Sequence, residues 1–279
     1  LLDAGAQMDA FNGWERATWF AKEGDDTSEE STHTWDRNGP WMPRIKEEVE
    51  AVRDHAGVLD MPGFSRYALS GDGAAEWLRG QITGALPKAG RMNLAYWADS
   101  RGRIKTEMTI IRWGEDDFWL MTAAVALWHD FELLKGNLPA DGSLALTNIT
   151  NDWSTHIVTG PASRDILSGI TDGADLSATW MSIQDATVAG KPAKLFRVSF
   201  AGELGWEVHT AFADSPPVYE AIKAAGATPF GMFALNAMRI EKGYRTWKGD
   251  LSTDYSMLEA GLDRWVKLDK PQDFPGKAA

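Results

Sequence analysis

Two periodicities divide the chain. Between residues 91 and 121 apolar positions recur at every second residue, which predicts a meander of three strands over 92–98, 104–112 and 118–121, broken by polar turns at 99–102 and 114–116. On the middle strand, parity puts Ile104, Thr106, Met108 and Ile110 on one face and Lys105, Glu107, Thr109 and Ile111 on the other. The same alternation runs through 195–200 and resumes over 204–208, so Ala201 and Gly202 read as the tight turn of a hairpin. Helical spacing appears at Ile45, Val49, Val52 and Ala56, with Pro43 placed for a helix start and Gly57 for its C-terminal cap. It returns at Leu127, Phe131, Leu134 and Leu138, and again over 230–244. In that last helix Phe233, Ala237, Ile240 and Tyr244 form an apolar stripe beside a polar stripe of Asn236, Arg239 and Gly243. The stretch 58–69 reads as strand pieces around a Pro62-Gly63 turn, and 153–167 as a strand running into a helix at Pro161.

Several paired strands broken by single helices, rather than strict strand–helix alternation, predict an α+β fold of antiparallel sheets covered by helices. Residues 1–42 differ: they are polar, dotted with Trp14, Trp19, Trp35 and Trp41, and build no core of their own. Isolated aromatics in such a segment anchor a wrapping arm, so the chain divides into an arm over 1–42 and a domain over 43–279. At 279 residues and 44% hydrophobic content, the chain is long enough for a large core. A net charge of -12 argues against a nucleic-acid surface, which needs clustered Lys and Arg. The chain has no cysteine, which closes off disulfides, thiolate nucleophiles and cysteine-ligated metals. Its five histidines show no metal-ligand spacing, so no metal site is expected. The apolar runs are far shorter than the ~20 residues that cross a bilayer. The chain begins without Met and reads as a piece cut from a longer polypeptide.

Three charged positions carry candidate chemistry. Glu203 lies on the predicted turn, open to water, whereas Glu207 follows Trp206 inside an apolar strand, where a charge must find a partner or shift its pKa. On periodicity alone Glu207 reads as a solvated hairpin carboxylate, and Glu107 as an exposed sheet carboxylate. Arg239 reads as a surface cation paired with Asp250 or Glu241. His156 packs on a strand face. The run from Gly71 to Glu76 has two glycines of a dinucleotide fingerprint and Glu76 where the third would stand, so it is a turn and a helix start.

The segment from Gly202 to Glu207, Gly-Glu-Leu-Gly-Trp-Glu, resembles the pterin-recognition segment of the aminomethyltransferase (glycine-cleavage T-protein) family, in which the final Glu hydrogen-bonds the amino-pterin ring of tetrahydrofolate. The likeness extends along the chain. The run from Arg101 to Thr109 is similar to the family's Gly-Gly-Ile-x-x-Asp segment, whose Asp faces N10 of folate; here the position is Glu107. The Gly-Pro-Ala-Ser-Arg run from Gly160 to Arg164 resembles another family segment. The run from Asn236 to Gly243 resembles the family helix whose Arg lies over the folate. Residues 13–20 resemble the segment joining the flavin and folate domains of dimethylglycine and sarcosine dehydrogenases, and residues 247–269 resemble their ending.

The resemblance implies a multi-lobed fold around a central channel, with a flavin domain absent upstream and the C-terminal barrel missing. It implies tetrahydrofolate as cofactor, with FAD only in that upstream domain. Glu107 is the implied catalytic residue, and Glu207, Arg239, Trp206, Tyr96 and Trp247 are the implied cofactor contacts. Glu207 and Arg239 are expected to come from opposite lobes and to face one cavity. The implied function is one-carbon transfer as the folate domain of a dimethylglycine- or sarcosine-type demethylating dehydrogenase. Its partners are folate, a small methylated amine or sulfonium, and a covalently linked flavin domain, with no nucleic acid and no membrane. Its place is the cytoplasm, or the mitochondrial matrix of a eukaryote. Two other readings stand beside it: a stand-alone folate-dependent demethylase of a sulfonium or amine, and a non-catalytic folate-binding assembly module. The last is disfavoured because Lys242-Gly-Tyr-Arg-Thr-Trp247 stands where such modules carry a cysteine.

Overall fold

The computed structural model describes residues 1–11, 13–32, 34 and 38–279, with the side chains of 31 and 32 left aside; Trp35 lies outside the described residues. In chain order the elements begin with β1 (Ala6–Phe11), β2 (Trp14–Phe20), α1 (Glu29–Thr32), α2 (Met42–Asp54), β3 (Gly57–Asp60), β4 (Phe64–Ser70) and α3 (Ala74–Gln81). The meander follows as β5 (Arg91–Ala98), β6 (Ile104–Arg112) and β7 (Asp117–Ala123), then α4 (Leu127–Gly136), β8 (Ala145–Asn148), β9 (Trp153–Thr159) and α5 (Ser163–Ser168). The remainder is β10 (Thr171–Asp172), β11 (Ile183–Val188), β12 (Lys191–Phe196), β13 (Gly205–Ala211), α6 (Ser215–Ala224), β14 (Thr228–Pro229) and α7 (Met232–Glu241).

These elements form two units. The first comprises residues 1–62, 152–180 and 184–244; the second comprises 63–151, 181–183 and 245–279. The chain leaves the first unit at Pro62 and enters the second at Gly63, so the sequence-predicted turn there is a crossing between units.

The first unit is built on a seven-stranded sheet in the order β10-β11-β12-β13-β9-β3-β14. The ladders of β12 with β13, β13 with β9 and β9 with β3 are antiparallel, and only the short β14 runs parallel to β3 among the ladders described. Each face of the sheet buries its own cluster. Val58, Val158, Leu195, Trp206 and Val208 pack with Val218 and Ile222 of α6 on one side. On the other, Leu59 and Ile157 pack with Ile45 and Val52 of α2 and with Ala234, Leu235 and Met238 of α7.

The predicted arm is folded onto this second layer. β1 and β2 pair as an antiparallel hairpin, and Trp19 of β2, 1% exposed, packs into the cluster of α2 and α7. The buried carboxylate of Glu48 in α2 fastens the hairpin: Oε1 accepts from Phe20 N at 2.8 Å and Oε2 from Gly231 N at 2.8 Å. Gly231 fits there because a Cβ would lie 2.2 Å from the Thr18 carbonyl oxygen.

The second unit carries a five-stranded sheet in the order β5-β6-β7-β4-β8, with antiparallel ladders throughout. Ala95, Trp97, Met108, Ile110, Phe118 and Leu120 face α3 and α4. Tyr96 and Ala98 face the C-terminal segment through Trp247, Leu251, Met257 and Leu262.

Four local expectations change. Gly57 opens β3 instead of capping α2, whose C-cap is His55. The strand before the pterin-like segment ends at Phe196, because the ladder closes at the Phe196–Glu207 pair; residues 197–204 form a wide connection, with Gly202 at φ 83 and the Lys242 side chain packed where its Cβ would be. On β6 the parity holds from Thr106 to Ile110, but a bulge between Trp97 and Ala98 turns Ile104 to the opposite face, into the cluster of Tyr96 and Trp247. In α7 the buried stripe is Ala234, Leu235 and Met238, whereas Ile240 and Tyr244 are exposed. The predicted stripe lies on the wrong side of the helix, which ends before Tyr244.

Candidate functional site

In the second unit, the β5–β6 ladder places Tyr96 directly opposite Glu107, so the two side chains share one face. Tyr96 Oη donates to Glu107 Oε2 at 2.6 Å. Burial pushes the Glu107 carboxyl up from 4.5 to about 7, and the bond from Tyr96 partly opposes that rise by favouring the ionised form. The Tyr96 phenol is itself raised, first by burial and then by the Glu107 charge. Trp247 joins Tyr96 in the same cluster, and its buried indole N–H has no hydrogen-bond partner among the described residues. Arg245, whose charge acts on the Tyr96 phenol, lines a cavity of about 320 Å³ with Asp250, Leu251, Tyr255, Leu258 and Gly261. Three of the sequence-predicted residues, Glu107, Tyr96 and Trp247, therefore gather on one face of the five-stranded sheet.

In the first unit, β13 alternates. Trp206 and Val208 enter the α6 side of the sheet, and Glu207 and His209 take the other. Trp206 is 1% exposed and has the Arg197 guanidinium 4.6 Å from its ring centre, so it packs in the core on the face opposite Glu207. Glu207 lies across from Ile157, which lies across from Leu59, both packed against α7. Its Oε2 pairs with His209 Nε2 at 3.1 Å, and His209 Nδ1 pairs with Thr155 Oγ1 at 2.9 Å. A carboxylate only accepts, so Nε2 carries the proton on that side. Oε1 of Glu207 has no hydrogen-bond partner among the described residues.

Arg239 is buried at 7% exposure, so the surface reading fails. Glu241 pairs instead with Arg53. The Arg239 guanidinium donates through Nε to Asn236 Oδ1 at 2.8 Å and through NH1 to the Tyr244 carbonyl at 2.9 Å, and lies 5.9 Å from the Phe200 ring centre. Phe200 belongs to the 197–204 connection that leads into β13, and its ring stacks on Tyr244 at 6.1 Å. Glu207 and Arg239 thus come from two layers of one unit, on the same side of its sheet, and not from opposite lobes. Glu203 pairs with Lys242 at 3.5 Å. His156 is buried on its strand, with Nε2 donating to the Ser215 carbonyl oxygen at 3.1 Å and lying 3.0 Å from the Ser215 hydroxyl.

Two polar residues escaped the sequence reading. His209 stands two positions from Glu207 on the same strand face, a period-two signal that was legible. Asp130, fully buried in α4, sits one position before Phe131 of the apolar stripe, where an acid among core positions is a visible anomaly. Among the described residues no group of His, Asp and Glu could hold a metal ion, and no helix is long and apolar enough to cross a membrane.

A mixed fold of antiparallel sheets covered by helices is the architecture of aminomethyltransferase-type proteins of the glycine cleavage system. The chain belongs to that family: the GCVT N-terminal domain model matches residues 1–270. Among its relatives is the mitochondrial dimethylglycine dehydrogenase of Rattus norvegicus, 32% identical over 286 residues that cover 100% of this chain and 33% of that protein. The chain thus spans about a third of that relative's length. An aminomethyltransferase of Listeria monocytogenes serotype 4a is 31% identical over 239 residues, covering 84% of this chain and 65% of that protein. The crystal structure of the glycine cleavage system aminomethyltransferase T from Bartonella henselae superposes with a TM-score of 0.80 at 21% identity, over 99% of this chain and 70% of that one, and establishes the shared fold.

Proposed function

We propose that the chain is the folate domain of a dimethylglycine- or sarcosine-type demethylating enzyme, with Glu107 as the proton-handling group and Glu207 and Arg239 as recognition groups for tetrahydrofolate. The observation that carries the reading is the pair of half-buried carboxylates, each held through one oxygen by a side-chain donor and each with its second oxygen unpaired among the described residues. That donor set fits the cofactor: Glu207 Oε1 suits a donor-rich ring edge, and the unpartnered Trp247 N–H suits an acceptor. The bound cofactor supplies the nucleophilic nitrogens that take up the one-carbon unit.

Glu107 would take a proton at its free oxygen. A carboxyl at about 7 is partly ionised at neutral pH, matched to accepting and returning a proton there. Tyr96 holds the other oxygen and fixes the carboxylate's direction. Glu207 orients by accepting, and the His209–Thr155 chain fixes its rotamer. The buried guanidinium of Arg239 offers a planar cation for a ring face or a carboxylate tail. The match to dimethylglycine dehydrogenase over the whole chain favours this reading over a stand-alone demethylase or an assembly module. On the same reading the methyl donor is a small methylated amine, a flavin domain lies elsewhere in the polypeptide, and the place is the cytoplasm, or the mitochondrial matrix in a eukaryote.

Titration calorimetry with tetrahydrofolate tests the assignment. The expected result is binding by the wild type that Glu107→Gln leaves nearly unchanged. Absence of binding by the wild type would overturn the folate reading, and abolition by Glu107→Gln would make Glu107 a recognition residue.

A further inference from the structure

Beneath Glu107, on the opposite face of the five-stranded sheet, lies a buried polar cluster that the proposed chemistry does not use. Asp130 of α4 is fully buried, as is Thr106 of β6, and Thr122 of β7 is 5% exposed. Thr106 Oγ1 lies 2.8 Å and Thr122 Oγ1 2.7 Å from Asp130 Oδ2, and His129 Nδ1 lies 2.8 Å from Oδ1. Thr122 Oγ1 also lies 3.0 Å from the Glu107 carbonyl oxygen. The β6–β7 ladder stops at the Thr109–Met121 pair, so the Thr122 hydroxyl supplies the next bond that the Glu107 backbone needs.

The protons in this cluster can be counted. A threonine hydroxyl has one to give, yet Thr122 faces two acceptors, the Glu107 carbonyl and Asp130 Oδ2. If Asp130 is ionised, one contact goes without a proton. If Asp130 carries a proton on Oδ2, it donates to Thr122 Oγ1, Thr122 donates to the Glu107 carbonyl, Thr106 donates to Oδ2, and His129 donates from Nδ1 to Oδ1. Every close contact then has one donor and one acceptor.

We propose that Asp130 is a positioning residue for Glu107, held as the neutral acid at the head of an ordered O–H chain that runs through Thr122 to the Glu107 backbone. This role rests on the reading of Glu107 given above. Burial, which raises the Asp130 carboxyl, acts in the same direction as the proton count. The titratable groups that bear on Asp130 from the elements around it are His129 of α4 and Tyr67 of β4, whose phenol is raised first by burial and donates to the Leu127 carbonyl at 2.6 Å.

Infrared spectroscopy and carbon-13 titration of the glutamate carboxyls, assigned through Glu107→Gln, test the proposal on the full chain. Beyond the bands of the partly protonated Glu107 and Glu48, the wild type should show a protonated carboxylic C=O band at neutral pH that is lost in Asp130→Asn. The asparagine amide mimics the neutral acid, donating to Thr122 and accepting from His129, so Asp130→Asn should leave the Glu107 midpoint in place. Thr122→Val should move that midpoint by about half a unit, and Thr122→Ser, which keeps the hydroxyl, should restore it. If the band is absent in the wild type, or if Asp130→Asn displaces Glu107 as far as Thr122→Val does, Asp130 is ionised and the proposal is wrong. A Thr122→Val protein that does not fold leaves the band and the Asp130→Asn and Thr122→Ser titrations to decide. None of these readouts uses folate, so a failure of the folate reading registers separately, in the calorimetry.

Discussion

Glu207 and Glu107 are the same residue type placed on strands of two sheets, and their surroundings differ in one physical respect. Glu207 is backed by a donor chain of its own strand layer, His209 and then Thr155, which holds it as an acceptor. Among the described residues the Glu107 carboxylate has only the Tyr96 phenol for a partner, and desolvation outweighs that bond, carrying its carboxyl to about 7. A carboxylate that stays an acceptor can recognise a ligand, whereas one poised near neutrality can exchange a proton with it. On the proposed reading, the division of labour follows from the neighbours and not from the residue type.

The largest effect should come from the proton-handling side. Glu107→Gln keeps the shape and removes the charge, so in the polypeptide as encoded, formation of 5,10-methylenetetrahydrofolate from a methylated amine such as dimethylglycine should fall by ~100-fold. A product assay that found unchanged turnover would make Glu107 an ordinary sheet residue. On the recognition side, Glu207→Gln replaces an acceptor oxygen with a donor, and calorimetry should show tetrahydrofolate affinity reduced by roughly 30-fold. Equal loss of affinity in both variants would erase the contrast between them.

A third carboxylate sharpens the comparison because it is buried without any proposed chemistry. Glu48 binds only backbone N–H groups, and burial lifts it from 4.5 to about 7 despite them. Glu48→Gln turns one of those acceptors into a donor facing an N–H, with an expected cost of about 2 kcal/mol in denaturant unfolding. A folded-state value above the unfolded one means that the folded protein holds the Glu48 proton more tightly. Its contribution to stability is therefore fully present below pH 4.5 and declines as the pH rises to about 7. A wild-type stability curve compared with that of Glu48→Gln over this window should show the steeper decline in the wild type, since Glu107, also raised to about 7, contributes its own decline to both proteins. The smallest effect is expected for Arg239→Lys, which loses the fork that serves Asn236 and Tyr244 and should weaken folate binding by roughly 5-fold.

Much of this arrangement was legible in the sequence where the signal was local. The period-two pattern located β5, β6 and β7 and put Glu107 on the face opposite Thr106 and Met108. Long-range pairing left no such trace. That β13 pairs with β9, and β9 with β3, follows from contacts between segments about fifty and about a hundred residues apart, so the sharing of one layer by Glu207 and Arg239 was not readable. The face of α7 was misassigned because its apolar residues, Phe233, Ala234, Leu235, Ala237, Met238 and Ile240, surround much of the helix, and tertiary packing chose among them. The bulge that turns Ile104 over is likewise a property of the ladder and not of the strand's own alternation.

The contrast between the two glutamates is tested most directly by carbon-13 titration of the Glu107 carboxyl in the wild type and in Tyr96→Phe. The Tyr96 bond favours the ionised form, so the account predicts a wild-type midpoint near 7 that moves higher when the phenol is removed. A midpoint near 4.5, unmoved by Tyr96→Phe, would contradict it.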